Sequence, residues 1–100
     1  FGPIPHLLGR RIGGRSSTRR RRLARIALES YRDGWLNEGA SAVEMDGRAR
    51  SAGTPEDRCA FERIARDERR HADLGRDVVL WCFGEDQRGV GRVLARAQSR

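Results

Sequence analysis

Three side chains, Glu38, Glu68 and His71, combine donor types and a spacing that suit a metal ion. Glu68 and His71 are three residues apart, so in a helix both can point at one ion from a single turn. On the helical face that each of them occupies, all three lie in a stripe of apolar residues, whereas the arginines fall on the opposite face. Because burying an unpaired carboxylate costs several kcal/mol, this placement predicts a partner for each of them. A metal ion is one partner that would serve Glu68 and His71 at once, and a hydrogen-bonded Glu–His pair that stiffens the bundle without metal is the alternative.

Two long helices are predicted to position these side chains. Apolar residues recur at steps of three and four through residues 18–52, which include Glu38, and again through 55–83, which include the other two. The inward face of the second helix is predicted to contain Phe61, Ile64, Ala65, Glu68, His71, Ala72, Gly75, Val78, Val79 and Cys82. Glycines in the first helix each cost about 1 kcal/mol relative to alanine, but they permit close packing of helices. These are Gly34, Gly39 and Gly47.

The turn between the helices carries the clearest local signal. Gly53 is predicted to take the left-handed conformation that ends a helix. Thr54 is predicted to cap the next helix and Pro55 to occupy its first turn. If the helices fold back antiparallel, Glu38 and Glu68 each lie 15 residues from Gly53. Both would then lie about 22 Å from the turn and face each other.

A Glu on one helix and a Glu-x-x-His on its antiparallel partner resemble half of the site in ferritin-like dimetal-carboxylate proteins. The segment IARDERRHADLGRDVVLWC (64–82) resembles the Glu-x-x-His helix of bacterial ferritin-like domain proteins, and GWLNEGASA (34–42) resembles their preceding helix. The likeness covers about residues 20–84. It implies an all-α fold in which an antiparallel helix pair forms half of a four-helix bundle.

The resemblance also implies a dimetal cofactor of iron or manganese, with half of the site supplied by this chain. Glu68 would bridge the metals, Glu38 would be a terminal ligand and His71 would complete one coordination shell. Asp67 would accept a hydrogen bond from a ligating histidine of the other half, and Tyr31 could approach the site. Catalytic residues stay unassigned, and an oxygen-using oxidase or hydroxylase is one expectation.

The family pattern requires two helix pairs, whereas this sequence contains one. Either an upstream half of a longer protein or a second copy of the chain must supply the rest. The order of motifs favours the C-terminal half. We expect three regions: a flexible basic lead-in at 1–17, the helix pair at 18–84, and a short amphipathic helix and tail at 85–100.

Charge is distributed unevenly along the chain, whose formal net charge is +7. Residues 1–28 carry eight arginines and no acidic residue, and residues 29–100 have a formal net charge of −1. A nucleic-acid-binding protein led by this basic segment is one alternative, but it is disfavoured because no aromatic residue interleaves with the arginines. A second alternative is a non-catalytic helical module that dimerises through its apolar faces. No apolar run is long enough to span a membrane, and we expect a cytoplasmic protein without a disulfide between Cys59 and Cys82.

Overall fold

A computed structural model describes residues 13–99 of the chain, and in this range it contains helices and no strands. Helix α1 spans Gly13–Glu29 and continues without a break into a π-helical segment, Ser30–Asn37. Helix α2 spans Glu38–Arg50, α3 spans Pro55–Glu85 and α4 spans Gln87–Gln98. The predicted all-α class and the short C-terminal helix are confirmed.

The first helix departs from the prediction at its start and in its middle. Residues 13–17, expected in a flexible lead-in, already belong to α1, while residues 1–12 of that lead-in lie outside the described range. The π-helical segment was not predicted. A π turn holds more residues than an α turn, so it shifts the direction of every side chain that follows, including Glu38.

The turn between α2 and α3 confirms the predicted cap. The Thr54 hydroxyl accepts a hydrogen bond from the Asp57 amide at 3.1 Å, and Pro55 occupies the first turn of α3. The prediction for Gly53 is wrong, because no glycine in the described range has a positive φ. The end of α2 closes instead through the amides of Ser51 and Ala52, which donate to the carbonyls of Gly47 and Ala49.

Thr54→Ala should lower the free energy of unfolding by about 1 kcal/mol, because the Asp57 amide loses its acceptor at the start of α3. Urea denaturation followed by circular dichroism would measure the change. Ser51→Ala, which removes an exposed hydroxyl from the same turn, is the control and should change stability by less than about 0.5 kcal/mol. Equal losses in the two variants would contradict the capping role.

The π-helical segment and α2 pack antiparallel against α3. Gly34 approaches Gly75, Gly39 approaches Ala72, and Asp46 pairs with Arg69, so residues further before the turn meet residues further after it. Small residues fill this interface. Those that are buried are Ala42, Ala49, Ala65, Ala72 and Gly75.

A second packing region lies at the other end of α3, where α1 and α4 meet it. Its buried members are Leu23, Ala27, Cys82 and Val90, with Val78, Trp81 and Leu94 packed against them. Helix α3 does not stop at Gly84 as expected. It continues to Glu85, and Asp86 then leaves the helical conformation and caps α4 by accepting a hydrogen bond from the Gly89 amide.

Cysteines at two positions of α3 are both free, with Cys59 exposed and Cys82 buried. They are separated by 23 residues of one helix, which corresponds to about 34 Å. The predicted absence of a disulfide between them is therefore confirmed. Burial raises the pKa of the Cys82 thiol, which keeps it in its neutral form.

The molecule is a slab of helices. Its extents are 60 × 32 × 15 Å, so the molecule is elongated and thin. Its radius of gyration of 18.0 Å exceeds the value of about 13 Å expected for a compact 100-residue domain. Large apolar residues consequently remain exposed, among them Val43, Leu74 and Leu80. No helix in residues 13–99 has both the length and the apolar composition to cross a membrane.

Candidate metal centre

The structure brings together the three side chains that the sequence analysis singled out. Glu38 is the first residue of α2, and Glu68 and His71 lie on successive turns of α3. Each offers one possible ligand atom, and these three atoms all lie within 4.8 Å of one another. The equal spacing of Glu38 and Glu68 from the turn therefore corresponds to an actual approach of their side chains.

The two flanks of the helix pair differ in chemistry. A helix turns by about 100° per residue, so the buried residues Ala65, Ala72 and Val79 lie between the directions of Glu68 and Arg69. Glu68 meets Glu38 on one flank, which we call the site flank. Arg69 meets Asp46 on the other, the ion-pair flank, with a nitrogen–oxygen distance of 2.6 Å.

Next to the site, the backbones of the π-helical segment and of α3 lie very close to each other. A Cβ added to Gly75 would lie 2.7 Å from the Trp35 amide nitrogen and 2.9 Å from the Gly34 Cα, closer than real Cβ atoms approach. Gly75 is one turn beyond His71, and Gly34 is four residues before Glu38. Of the three glycines predicted to allow close packing, Gly34 does so. Gly39 makes an ordinary contact with Ala72, and Gly47 faces only an arginine of its own helix.

The carboxylates of Glu38 and Glu68 share a hydrogen bond, and this contact raises the pKa of Glu68 above its usual value. Desolvation and the negative charge of Glu38 act in the same direction, while His71 and the Ser41 hydroxyl oppose them. A proton or a cation between the two oxygens is thus favoured. The sequence analysis missed Ser41, whose only signal was its position three residues after Glu38 on the same helical face.

We expect the stability gained by Glu68→Gln in the metal-free chain to shrink as the pH falls. A carboxyl whose pKa is raised by folding stabilises the native state below its unfolded pKa, and this contribution is lost as the pH rises through the folded pKa. At neutral pH the variant removes carboxylate repulsion, whereas in acid the wild type relieves it by taking up a proton. Melting temperatures of both proteins in chelator between pH 7 and pH 4 would test this. A pH-independent difference would contradict it.

The three candidate ligands are less buried than the sequence analysis predicts. Glu38 and Glu68 are half-buried, His71 is exposed, and no polar or charged side chain in the described range is fully buried. Ile64, also placed on the inward face, is 44% exposed. The reason is that the π-helical segment and α2 cover a different side of this part of α3, where they contact Arg69, Ala72 and Gly75.

Asp67 and Tyr31, the two supporting residues named from the resemblance, lie outside the cluster. Asp67 is exposed and forms an ion pair with Arg70 at 3.5 Å. Tyr31 lies in the π-helical segment and packs edge-on against Trp35, with ring centres 5.7 Å apart. Their supporting roles stay predictions.

Comparison of the chain with protein-family models, curated proteins and solved structures finds no match. The interpretation of the site therefore rests on its own residues.

The donor set fits a transition metal that accepts both oxygen and nitrogen. Two donors bound to one ion at about 2.1 Å can lie at most about 4.2 Å apart, so a small side-chain rotation would bring donors within 4.8 Å onto an ion. Two carboxylates and one imidazole suit iron, manganese or zinc better than calcium. The open flank leaves room for further ligands on the side away from the helices.

Proposed function

We propose that this chain binds iron or manganese through Glu38, Glu68 and His71 and supplies half of a ferritin-like dimetal-carboxylate centre. The observation that carries the proposal is the convergence of these three donor atoms within 4.8 Å on one flank of an antiparallel helix pair. The same residues match the Glu and Glu-x-x-His pattern of such centres.

Electrostatics support a cation at this position rather than a permanent hydrogen bond between two acids. Because the contact with Glu38 raises the pKa of Glu68, ionising both carboxylates costs free energy in the absence of a cation. A divalent ion between them would remove that cost. The Ser41 hydroxyl would keep one Glu68 oxygen oriented while another oxygen binds the metal.

Three donors from one chain leave the coordination shell of iron or manganese incomplete, since these metals accept up to six ligands. A second helix pair, from an upstream half or from another copy of the chain, would supply the remaining ligands. In the complete centre Glu38, Glu68 and His71 would be the ligands that this chain supplies, and His71 would complete the coordination shell of one ion. Such ions supply oxidation–reduction chemistry with dioxygen, so an oxygen-using oxidoreductase is the activity that we propose.

Metal titration of the full chain tests the proposal. We expect the protein to take up about one manganese(II) or iron(II) ion per chain under anaerobic conditions, measured by calorimetry and by elemental analysis after gel filtration. Calcium is the control and should bind far more weakly, because its preferred ligands are six to eight oxygens. A folded chain that retains no iron or manganese would refute the proposal.

A non-catalytic dimerisation module is the second candidate, because the elongated molecule exposes large apolar residues. It predicts a dimer that is indifferent to chelators. The basic segment gives weaker support to nucleic-acid binding. Arg20, Arg21, Arg22 and Arg25 are exposed, but Arg19 forms an ion pair with Glu85 and contributes to the fold.

A further inference from the structure

We propose that the end of the molecule formed by α1 and α4, which we call the basic end, binds the phosphate backbone of a nucleic-acid duplex. Its arginines come from two segments at opposite ends of the chain, and the fold packs these segments together. The inference goes beyond metal binding and does not depend on it.

Charge along the chain is divided into two segments without acidic residues and an acidic middle. Residues 1–28 carry eight arginines and residues 87–100 carry four, and neither segment contains Asp or Glu. Residues 29–86 contain all 14 acidic residues and the other nine arginines, so their formal net charge is −5. Positive charge is therefore concentrated in two segments that are far apart in the sequence.

The fold brings these two segments into contact. Leu23 and Ala27 of α1 and Val90 of α4 are buried in one cluster, and Leu94 of α4 packs against it. This cluster lies at the end of α3 that is remote from the turn at residues 51–54. The positive charges of the two segments therefore add at one end of the molecule.

Helix α4 directs its arginines away from the fold. A helix turns by about 100° per residue, so Arg88, Arg92 and Arg96 lie on the side of α4 opposite the buried Val90. All three arginines are exposed. Their spacing of four residues places one guanidinium on each turn, at intervals of about 6 Å along the helix.

Helix α1 adds a second set of exposed arginines. Arg21 and Arg25 each lie two residues from the buried Leu23, which places them on the opposite side of α1. Arg20 and Arg22 are also exposed. Among the residues that the structure describes, none of these four arginines forms an ion pair with a carboxylate. Their guanidinium groups are therefore available to an external anion.

Phosphate is the anion that suits this surface. The planar guanidinium group of arginine donates two parallel hydrogen bonds to one phosphate, and it keeps its charge at every physiological pH. Several such groups on two packed helices can contact several phosphates of one polymer at once. Each contact releases a bound counterion from the nucleic acid, which is the main source of affinity that does not depend on sequence.

The apolar and aromatic residues favour a duplex over a membrane or a single strand. A helix that binds a membrane surface buries its apolar face in the lipid, whereas Val90 and Leu23 are buried inside the fold. Single strands are held by stacking on aromatic side chains, and residues 17–29 and 87–99 contain none. The backbone of a duplex requires only cations on a rigid scaffold.

Binding should depend steeply on salt. If about four arginines contact phosphates at once, the affinity should fall roughly 100-fold between about 50 and 200 mM monovalent salt. Fluorescence anisotropy of a short labelled DNA duplex of mixed sequence, titrated with the full chain, would measure the affinity at each salt concentration. An affinity that does not change with salt would overturn the inference.

Substitutions in α4 test whether the fold builds the surface. The triple variant Arg88→Gln, Arg92→Gln and Arg96→Gln should bind the duplex at least about tenfold more weakly, because it removes phosphate contacts. The control is a triple variant in α3 that removes the same charge from exposed arginines and should lose less than about threefold. Its substitutions are Arg58→Gln, Arg63→Gln and Arg66→Gln.

Equal losses in the two triple variants would show that only the net charge of the chain matters, and would overturn the inference. An unchanged affinity in the α4 variant would assign binding to the N-terminal arginines alone and would also overturn it. Tighter binding to a single strand of the same sequence, or to vesicles containing phosphatidylserine, would contradict the choice of partner. Circular dichroism would verify that both variants keep their helices.

Discussion

Glu68→Gln is expected to weaken iron(II) or manganese(II) binding by at least about 100-fold, because loss of a group that merely supports a ligand already costs 10- to 100-fold. Glu68 lies within 4.8 Å of the donor atoms of both Glu38 and His71, and the contact with Glu38 raises its pKa. An amide of nearly the same shape keeps the packing of α3 but lacks the negative charge. Calorimetric titration of the variant and the wild type would measure the loss.

The same substitution should slightly raise the melting temperature of the metal-free chain at neutral pH. The contact with Glu38 raises the pKa of Glu68, so two ionised carboxylates are unfavourable here, and the amide removes one of them. Weaker binding together with higher stability would separate a functional residue from a structural one. Asp46→Asn is the matched control. Asp46 is a half-buried carboxylate in the same helix interface, but it pairs with Arg69 on the opposite flank. Its replacement should leave metal affinity unchanged, and an equal loss in both variants would contradict the assignment.

Gly75→Ala should destabilise the chain by about 3 kcal/mol, at the upper end of the usual cost of overpacking, because the added Cβ meets backbone rather than a flexible side chain. Its nearest atoms would be the Trp35 amide nitrogen at 2.7 Å and the Gly34 Cα at 2.9 Å. The helices must separate to accept the methyl group, which would also move Glu38 away from Glu68. Denaturant unfolding and metal titration of the variant would measure both effects.

Gly84→Ala is the control for this prediction. Gly84 lies in the same helix, and nothing lies within 4 Å of a Cβ added there. Since alanine favours a helix by up to about 1 kcal/mol over glycine, the control should be neutral or stabilising. Similar losses of stability in both variants would show that Gly75, where α3 crosses the π-helical segment, has no special role.

Local chemistry made much of the fold predictable. Thr54 and Pro55 predict the start of α3, because a capping side chain and a proline both depend only on backbone atoms within four residues along the chain. The equal spacing of Glu38 and Glu68 from the turn brought them to within about one helical turn of the same level, close enough for their side chains to meet, because two antiparallel helices have the same rise. The donors of the candidate site followed from residue type and spacing alone.

Other features depended on neighbours that the chain order does not reveal. The π-helical segment coincides with the crossing of Gly34 and Gly75, whose backbones approach too closely for any side chain. The Ser41 hydroxyl became relevant only once α2 was placed beside Glu68. Gly53 was expected to be left-handed, but α2 closed through other amides.

The sequence by itself determined the helices, the turn that reverses them and the three donors that face each other, because these depend on periodicity and on contacts within one or two turns. Only the tertiary structure decided which side chains are buried. Periodicity groups Ile64 and His71 with the buried residues of α3, yet both remain exposed because α2 packs against a different side of that part of the helix. Burial depends on what packs above a face, which the order of residues along one helix does not reveal.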